Sequence, residues 1–140
     1  MSCLFCEIAA GTQAAEIVYE DTQSVAFLDH RPLFPGHVLL IPRRHMVTLA
    51  DLPAAEVGAF FRIAQRLETA IERAMEADGS FIAINSIVSQ SVLHLHVHIV
   101  PRRRKDGLKG FFWPRARYRD DAHRQETAEK IRAALRDAAL

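Results

Sequence analysis

The sequence predicts an α+β fold with a mostly antiparallel five-stranded sheet, one long central helix and a C-terminal helix. The first observation is the order of the patterns, because short β-branched or aromatic segments occur in runs on both sides of one stretch with helical periodicity. The second is size and composition. With 140 residues, 49% apolar and 25% charged, the chain is expected to form a single domain over residues 1–140.

Three strands are predicted before the long helix. Residues 17–19 and 25–28 are separated by five polar residues, as the two strands of a hairpin are. A Pro-Gly turn then precedes the apolar run 37–41, which suits a buried central strand ended by Pro42.

Two helices and two further strands complete the prediction. Asp51 can cap a helix whose apolar residues recur at spacings of three and four as far as Met75. Residues 81–85 and 92–100 are typical of strands, and the second is closed by a proline. Residues 124–138 carry Ala128, Ile131, Leu135 and Ala138 on one helical face.

Charge and hydropathy exclude several classes of protein. The formal net charge of +1 argues against a nucleic-acid binder whose whole surface is basic. No apolar run approaches the roughly 20 residues that span a bilayer. The first residues have neither the basic start nor the apolar core of a secretion signal. We therefore expect a cytoplasmic protein with no membrane partner, in which Cys3 and Cys6 are metal ligands, a redox pair or bystanders.

Three histidines alternate in the second predicted strand after the helix. His94, His96 and His98 would share one face, about 6.6 Å apart, while the apolar residues between them share the other. Surface histidines would explain them poorly, because Thr, Lys or Glu are the usual solvent-facing residues of a strand. A catalytic metal site is a second interpretation. We favour a third, acid/base or nucleophilic chemistry by imidazole.

This spacing resembles the signature of the histidine triad (HIT) family of nucleotide hydrolases and transferases. Further segments occur in the order expected of its bacterial branch: residues 3–6, 18–21, 26–29, 36–45 and 90–92. The resemblance covers about residues 3–102. Residues from about 103 to 140 would then be a basic, aromatic extension of the domain.

The resemblance implies a HIT-like fold, a homodimer with a joined sheet and cleavage at the α-phosphate of a purine nucleotide. The substrate would be a nucleoside phosphoramidate or a dinucleoside polyphosphate. His96 would be the nucleophile that forms a nucleotidyl-histidine, and His98 would bind the non-bridging oxygens with a charge-assisted hydrogen bond. Ser91 would donate to the phosphate or the leaving group. The alternatives are a metal-dependent hydrolase and a module that binds nucleotides or single-stranded RNA.

The resemblance also implies the residues that bind substrate. Asp29 would accept from the ribose hydroxyls, Phe27 would lie near the base, and Gln90 and Asn85 would belong to the phosphate site. His37 fits a position beside the phosphate, but a buried structural histidine fits it nearly as well. Residues 86–89 depart from the family because they lack the glycines that let a backbone approach phosphate closely.

A structural zinc ion is implied as well. Two thiolates at the spacing of Cys3 and Cys6 need two more ligands for a closed site, and related bacterial proteins use the residues that correspond to His45 and His94. A reduced thiol pair and a disulfide remain the alternatives.

The segment after the histidines is strongly basic. Between Pro101 and Arg119 there are eight basic residues and one acidic residue. Four aromatic residues are interleaved with them: Phe111, Phe112, Trp113 and Tyr118. We favour a segment that borders the nucleotide site and attracts an anionic substrate. Trp113-Pro114 resembles a Trp-Pro of the family's phosphoramidate-cleaving branch, and this resemblance implies that Trp113 reaches the dimer partner's active site. A solvated tail and a surface for single-stranded nucleic acid are the alternatives.

Overall fold

The structure is a computed structural model that describes residues 2–108 and 115–137. The chain divides into two compact units, Met1–Asp106 and Gly107–Leu140. The elements of the first unit are α1 Leu4–Ala10, β1 Ile17–Glu20, β2 Ser24–Leu28, β3 Val38–Pro42, α2 Ala54–Ala74, β4 Gly79–Ala83 and β5 Val97–Arg102. The second unit contains α3 Asp121–Asp137. None of the helices in these described ranges is long and apolar enough to cross a membrane.

One antiparallel sheet organises the first unit, with the strand order β1-β2-β3-β5-β4. Asp21 stabilises the turn between β1 and β2. Its Oδ1 accepts hydrogen bonds from the backbone N–H groups of Gln23 and Ser24 at 2.7 Å each. The five-stranded antiparallel sheet and the α+β class predicted from the sequence are confirmed.

Each face of the sheet has its own apolar core. Side chains that alternate along the strands pack against α2 on one face, including Ala26, Leu40, Val97 and Ile99. Their neighbours in sequence pack with α1 on the other face: Val25, Phe27, Leu39 and Ile41 with Phe5 and Ile8. The period of two therefore separates an α2 face from an α1 face.

The start of β5 differs from the prediction, which placed a strand over residues 92–100. The strand begins at Val97. Before it, the N–H of His94 donates to the carbonyl of Val92 at 2.8 Å, and the N–H of Leu95 donates to the carbonyl of Met46 at 2.6 Å. These bonds replace a strand ladder with a bend, although Leu95 still packs on the α2 face.

The helices also differ at their boundaries. Asp51 does not cap α2, because its carboxylate accepts from the N–H of Thr48 at 2.8 Å and closes a short 3₁₀ turn. Helix α2 begins three residues later, after Pro53. Helix α3 begins at Asp121, after Asp120 Oδ1 accepts the N–H of His123 at 2.7 Å. Helix α1 was not predicted.

Candidate active site

A cavity of about 710 Å³ opens on the α1 face of the sheet. Its apolar wall includes residues from α1, β2, β3 and the bend before β5: Leu4, Phe5, Ile8, Phe27, Leu39 and Val92. Its polar groups include Asp29, Ser91, His96 and His98. An apolar cleft with a few convergent polar groups is the usual form of a small-molecule site.

His96 has a defined tautomer. Its Nδ1 lies 2.7 Å from the carbonyl oxygen of His94. A carbonyl can only accept, so Nδ1 carries the proton and Nε2 carries a lone pair. Within the described ranges, every buried side-chain nitrogen or oxygen has a hydrogen-bond partner, but Nε2 of His96 has none. Nε2 is therefore not a fully buried atom. Although only 2% of the residue is exposed, Nε2 is therefore open to the cavity that the ring lines.

His98 is oriented by a second histidine. The N–H of Leu33 donates to His37 Nδ1 at 3.1 Å, which places the proton of His37 on Nε2. His37 Nε2 then donates to His98 Nδ1 at 2.9 Å. The neutral ring of His98 must therefore carry its own proton on Nε2. Asp29 Oδ2 lies 3.7 Å from His37 Nε2, so a carboxylate lies beside this pair of histidines.

Burial keeps the rings of His98 and His37 uncharged. It lowers the pKa of His98 to about 4, with smaller contributions from the neighbouring His96 and His37. Burial also lowers the pKa of His37, against the opposing effect of Asp29. The donor that His98 offers in the free protein at neutral pH is therefore a neutral N–H.

Three further predicted residues line the same cavity. Phe27 is buried, and its ring centroid lies 5.3 Å from that of Phe5 in an edge-to-face arrangement. Asp29 follows β2, and its Oδ1 accepts the N–H of Arg31 at 2.9 Å. Ser91 is exposed and also lines the cavity.

Two predicted substrate residues do not line this cavity. The side-chain amide of Gln90 donates to the carbonyl of Val47 at 2.6 Å and accepts the N–H of Ile87 at 2.8 Å. These two hydrogen bonds hold the loop that precedes His94. Asn85 is half-buried in the same loop. Trp113, together with Phe111 and Phe112, lies outside the described residues.

Four potential metal ligands converge beside α1. One donor atom from each of Cys3, Cys6, His45 and His94 lies within 4.8 Å of the others. His94 Nδ1 is 3.5 Å from both sulfur atoms, and His45 Nδ1 is 3.3 Å from Cys6 Sγ. Neither cysteine forms a disulfide.

The chemistry of these donors fits zinc. His94 Nε2 donates to the carbonyl of Pro42 at 2.8 Å, so its Nδ1 presents a lone pair to the thiols. Burial lowers the pKa of His94, which keeps the ring neutral as a ligand must be. Burial and the adjacent Cys3 raise the pKa of Cys6, so the thiolate form requires a cation. Two sulfur and two nitrogen donors are a common structural zinc set.

The sequence did not reveal two features of the site. His37 received no firm role, since its role depends on the N–H of Leu33 and on the ring of His98, which is 61 positions away in the sequence. The wall formed by α1 was also missed. The apolar residues Leu4, Phe5 and Ile8 on either side of Cys6 were the signal available for it.

Comparison with known proteins identifies the family. The family described as HIT domain matches residues 10–105. The chain belongs to the HIT family. It is 39% identical over 140 residues to a HIT-like protein of Mycobacterium tuberculosis, covering 96% of this chain and 94% of that protein.

Solved structures of HIT proteins share the fold. A member of the HIT family from Bacillus subtilis has a TM-score of 0.85 and 30% identity, covering 95% of this chain and 96% of that chain. A Zn-bound histidine triad family protein from Mycobacterium smegmatis has a TM-score of 0.73 and 37% identity, covering 96% and 98%. The predicted family and fold are confirmed.

Two relatives carry the names of enzymes. The adenylylsulfatase HINT3 of Arabidopsis thaliana is 34% identical over 108 residues, covering 76% of this chain and 55% of that protein. An asymmetrical bis(5'-nucleosyl)-tetraphosphatase of Schizosaccharomyces pombe is 37% identical over 94 residues, covering 66% of this chain and 52% of that protein.

Proposed function

We propose that the protein is a nucleotide hydrolase or transferase that uses His96 as a covalent nucleophile. One observation carries the proposal. His96 Nδ1 donates its proton to the carbonyl oxygen of His94, 2.7 Å away. The lone pair of His96 is therefore on Nε2, which is open to a cavity of about 710 Å³. A neutral imidazole nitrogen is a competent nucleophile at phosphorus, and the cationic ring it forms is a good leaving group.

The cavity provides a place for each part of a nucleotide. The apolar wall around Phe5 and Phe27 suits a purine base, and the Asp29 carboxylate suits the ribose hydroxyls. In the first step a bond forms between Nε2 and the α-phosphorus while the bond to the leaving group breaks, and the His94 carbonyl stabilises the resulting cation. His98 Nε2–H donates to a non-bridging oxygen. Ser91 donates to the phosphate or the leaving group.

The second step releases the nucleoside monophosphate. Water attacks the α-phosphorus, the bond from phosphorus to Nε2 breaks, and the ring returns to its neutral form. The enzyme names of the two relatives favour a nucleotide substrate. The leaving group is proposed to be an amine, a phosphate or a nucleotide, and the tested panel should compare adenosine phosphoramidate, adenylyl sulfate and diadenosine tri- and tetraphosphate.

Replacement of the nucleophile tests the reaction. We expect His96→Ala to lose turnover on every substrate of the panel, because no other ring nitrogen has its lone pair fixed toward this cavity in the described residues. The wild type should carry an acid-labile nucleotidyl adduct by mass spectrometry, and the variant should carry none. His123→Ala, on α3, is the matched control and should remain active. An active His96→Ala variant would refute the assignment.

We also propose that the cluster beside α1 binds a structural zinc ion. Cys3, Cys6, His45 and His94 would hold it, and the bound ion would cross-link the N-terminal segment to the chain around the histidines. The donor set and the Zn-bound relative support this proposal. Elemental analysis of the purified protein should find about one zinc per chain, and Cys6→Ser should reduce it.

A catalytic metal is the second candidate mechanism. Asp29, His37 and His98 place one donor atom each within 4.8 Å, beside the cavity. His37 Nε2 and His98 Nδ1 already satisfy each other at 2.9 Å, so an ion would have to break that hydrogen bond. We therefore favour nucleophilic catalysis. Full activity of the wild type with only one zinc ion per chain, held by the cysteine cluster, would exclude this second mechanism, whereas activity that requires a second equivalent of a divalent cation would support it.

A homodimer with a joined sheet is proposed on the same resemblance. β1 and β4 form the two edges of the sheet among the described residues, and an edge strand is where a second copy of the chain could extend a sheet. Light scattering of the purified chain should give twice the mass of 15.8 kDa. A monomeric mass at working concentration would contradict the proposal.

A further inference from the structure

His94 belongs to two sites at once. Its ring Nδ1 lies 3.5 Å from the sulfur atoms of Cys3 and Cys6, and its Nε2 donates to the carbonyl of Pro42 at 2.8 Å. The backbone carbonyl of the same residue accepts the Nδ1 proton of His96 at 2.7 Å. Any contact that fixes the position of His94 therefore also fixes the tautomer of His96.

Helix α1 also connects the two sites, because it separates two cavities. Leu4, Phe5 and Ile8 line the substrate cavity of about 710 Å³. Cys6 and Glu7 line a second opening, of about 450 Å³. Cys3 and His45 of the metal cluster line it too, but His94 does not. A displacement of the helix therefore changes the wall of one cavity and the ligands of the other together.

Phe5 makes the contact between the helix and the histidines. Its ring centroid lies 6.0 Å from that of His94 and 5.1 Å from that of His96, edge-on in both cases. The same ring packs edge-on against Phe27. Docking of α1 therefore packs the ring of the nucleophile as well as the apolar wall.

Helix α1 cannot hold this position by its own stability. It has seven residues, and its N-cap, Cys3, makes no side-chain cap hydrogen bond. Isolated helices shorter than about 12 residues are marginal in water. An ion held by the cluster would join Cys6 of the helix to His45, after β3, and to His94, before β5. Without the ion, α1 is attached by the buried side chains of Phe5 and Ile8 and by the hydrogen bond that Arg43 Nη1 donates to the carbonyl of Ala9 at 2.7 Å.

We propose that metal binding at this cluster positions the nucleophile and forms the substrate cavity. Cys3, Cys6, His45 and His94 are then positioning residues for the reaction, and this inference rests on the function proposed for His96. Loss of the metal releases α1, weakens nucleotide binding and allows His96 to exchange tautomers. The sheet and α2 remain folded, because the core between them contains no residue of α1.

The experiment compares the wild type, loaded and after chelation, with Cys6→Ser and Glu7→Gln. Glu7 lies next to Cys6 in α1 and lines the same opening, but it belongs to no ligand set of the described residues. Two readouts need no nucleotide: amide hydrogen exchange of residues 4–10 and the ¹⁵N shifts of the His96 ring. A third is the dissociation constant for adenosine monophosphate, used as the probe.

Chelation of the wild type and Cys6→Ser should both speed amide exchange in α1 and produce mixed His96 tautomers. We expect adenosine monophosphate to bind about tenfold more weakly, the size of effect typical of residues that support a reactive group indirectly. Zinc should restore the chelated wild type. Glu7→Gln should behave as the wild type. Where the substrate panel gives turnover, KM should rise as well as kcat fall.

The outcomes separate this inference from the proposed function. Unchanged exchange of α1 and a single His96 tautomer after chelation overturn the inference, whether or not the protein hydrolyses nucleotides. A metal response in both readouts, with no binding or turnover of any nucleotide, supports the inference and refutes the proposed function. If Cys6→Ser fails to fold, reversible chelation of the wild type decides the question alone.

Discussion

At the scale of single residues, backbone groups determine the chemistry of the histidines. Carbonyl oxygens only accept and amide N–H groups only donate, so each such contact fixes one ring proton. The carbonyls of Pro42 and His94 fix the protons of His94 and His96, and the N–H of Leu33 fixes that of His37. His94 thereby presents a lone pair to two thiols, His96 presents a lone pair to the cavity, and His98 keeps an N–H to donate.

His37 provides a test of this principle. In His37→Ala, His98 loses the donor to its Nδ1 at 2.9 Å, and its Nε2 proton is no longer fixed. Loss of one buried hydrogen bond costs about 1–3 kcal/mol, so kcat/KM should fall about tenfold or more. His37→Gln can still donate an amide N–H and should recover part of the loss. Steady-state kinetics on the best substrate measures both. Equal activity of His37→Ala and the wild type would show that His37 has only a packing role.

At the scale of elements, the loop between β4 and β5 adopts left-handed backbone angles at residues that are not glycine. Ile87 and Ser89 adopt left-handed backbone angles, with φ of 67° and 62°. The side-chain amide of Gln90 holds this conformation by accepting the N–H of Ile87. A β-branched residue in this region is strained. The missing glycines therefore change the energy of the loop, and its Ser91 end still reaches the cavity.

Relief of that strain should be measurable. Ile87→Gly removes a left-handed strain of about 1–2 kcal/mol, and the side chain is mostly exposed, so little burial is lost. After the added entropy of glycine in the unfolded chain, the free energy of unfolding should rise by about 0.5–1 kcal/mol. Val88→Gly is the control, because Val88 is also exposed but has no left-handed angle, and it should destabilise. Urea unfolding distinguishes the two signs.

Elements set by local patterns were predictable, and those set by distant contacts were not. The hairpin, β3 and α2 follow from residue spacing and turn signals. The start of β5 depends on the hydrogen bond from Leu95 to Met46, which are 49 positions apart in the sequence. Helix α1 is too short for a periodicity, and it is defined by what it packs against. Gln90 was expected at phosphate because its loop contacts could not be foreseen.

At the scale of the whole molecule, the alternation of residues 94–99 places the cavity-lining histidines and the residues of the main core on opposite faces of the sheet. Leu95, Val97 and Ile99 pack towards α2, while His96 and His98 line a cavity on the other face. This separation was predictable because it follows from a period of two. Ring protons, the direction of lone pairs and the role of His37 were not, because they depend on carbonyls and amides brought together by the fold.

Stability should depend on pH through His98. Burial, with His96 and His37, lowers its pKa from 6.5 to about 4, so the folded protein keeps the ring neutral where the unfolded chain already binds a proton. The unfolded state therefore binds more protons between these two values, and the free energy of unfolding falls as pH decreases through this window. Urea unfolding in the presence of a chelator should show it, and His98→Asn should flatten the slope. A slope unchanged by the substitution would contradict this assignment.

The position of His37 and His98 in the sheet has one further consequence. His37 immediately precedes β3 and His98 lies in β5, and these two interior strands pair with each other through Leu39 and His98. The hydrogen bond between the two rings is thus expected to break only when the centre of the sheet opens. Ser91 and Leu4, by contrast, are exposed at the rim of the cavity. New substrates can therefore be acquired by exchanging rim residues, while the chemistry is inherited unchanged with the scaffold.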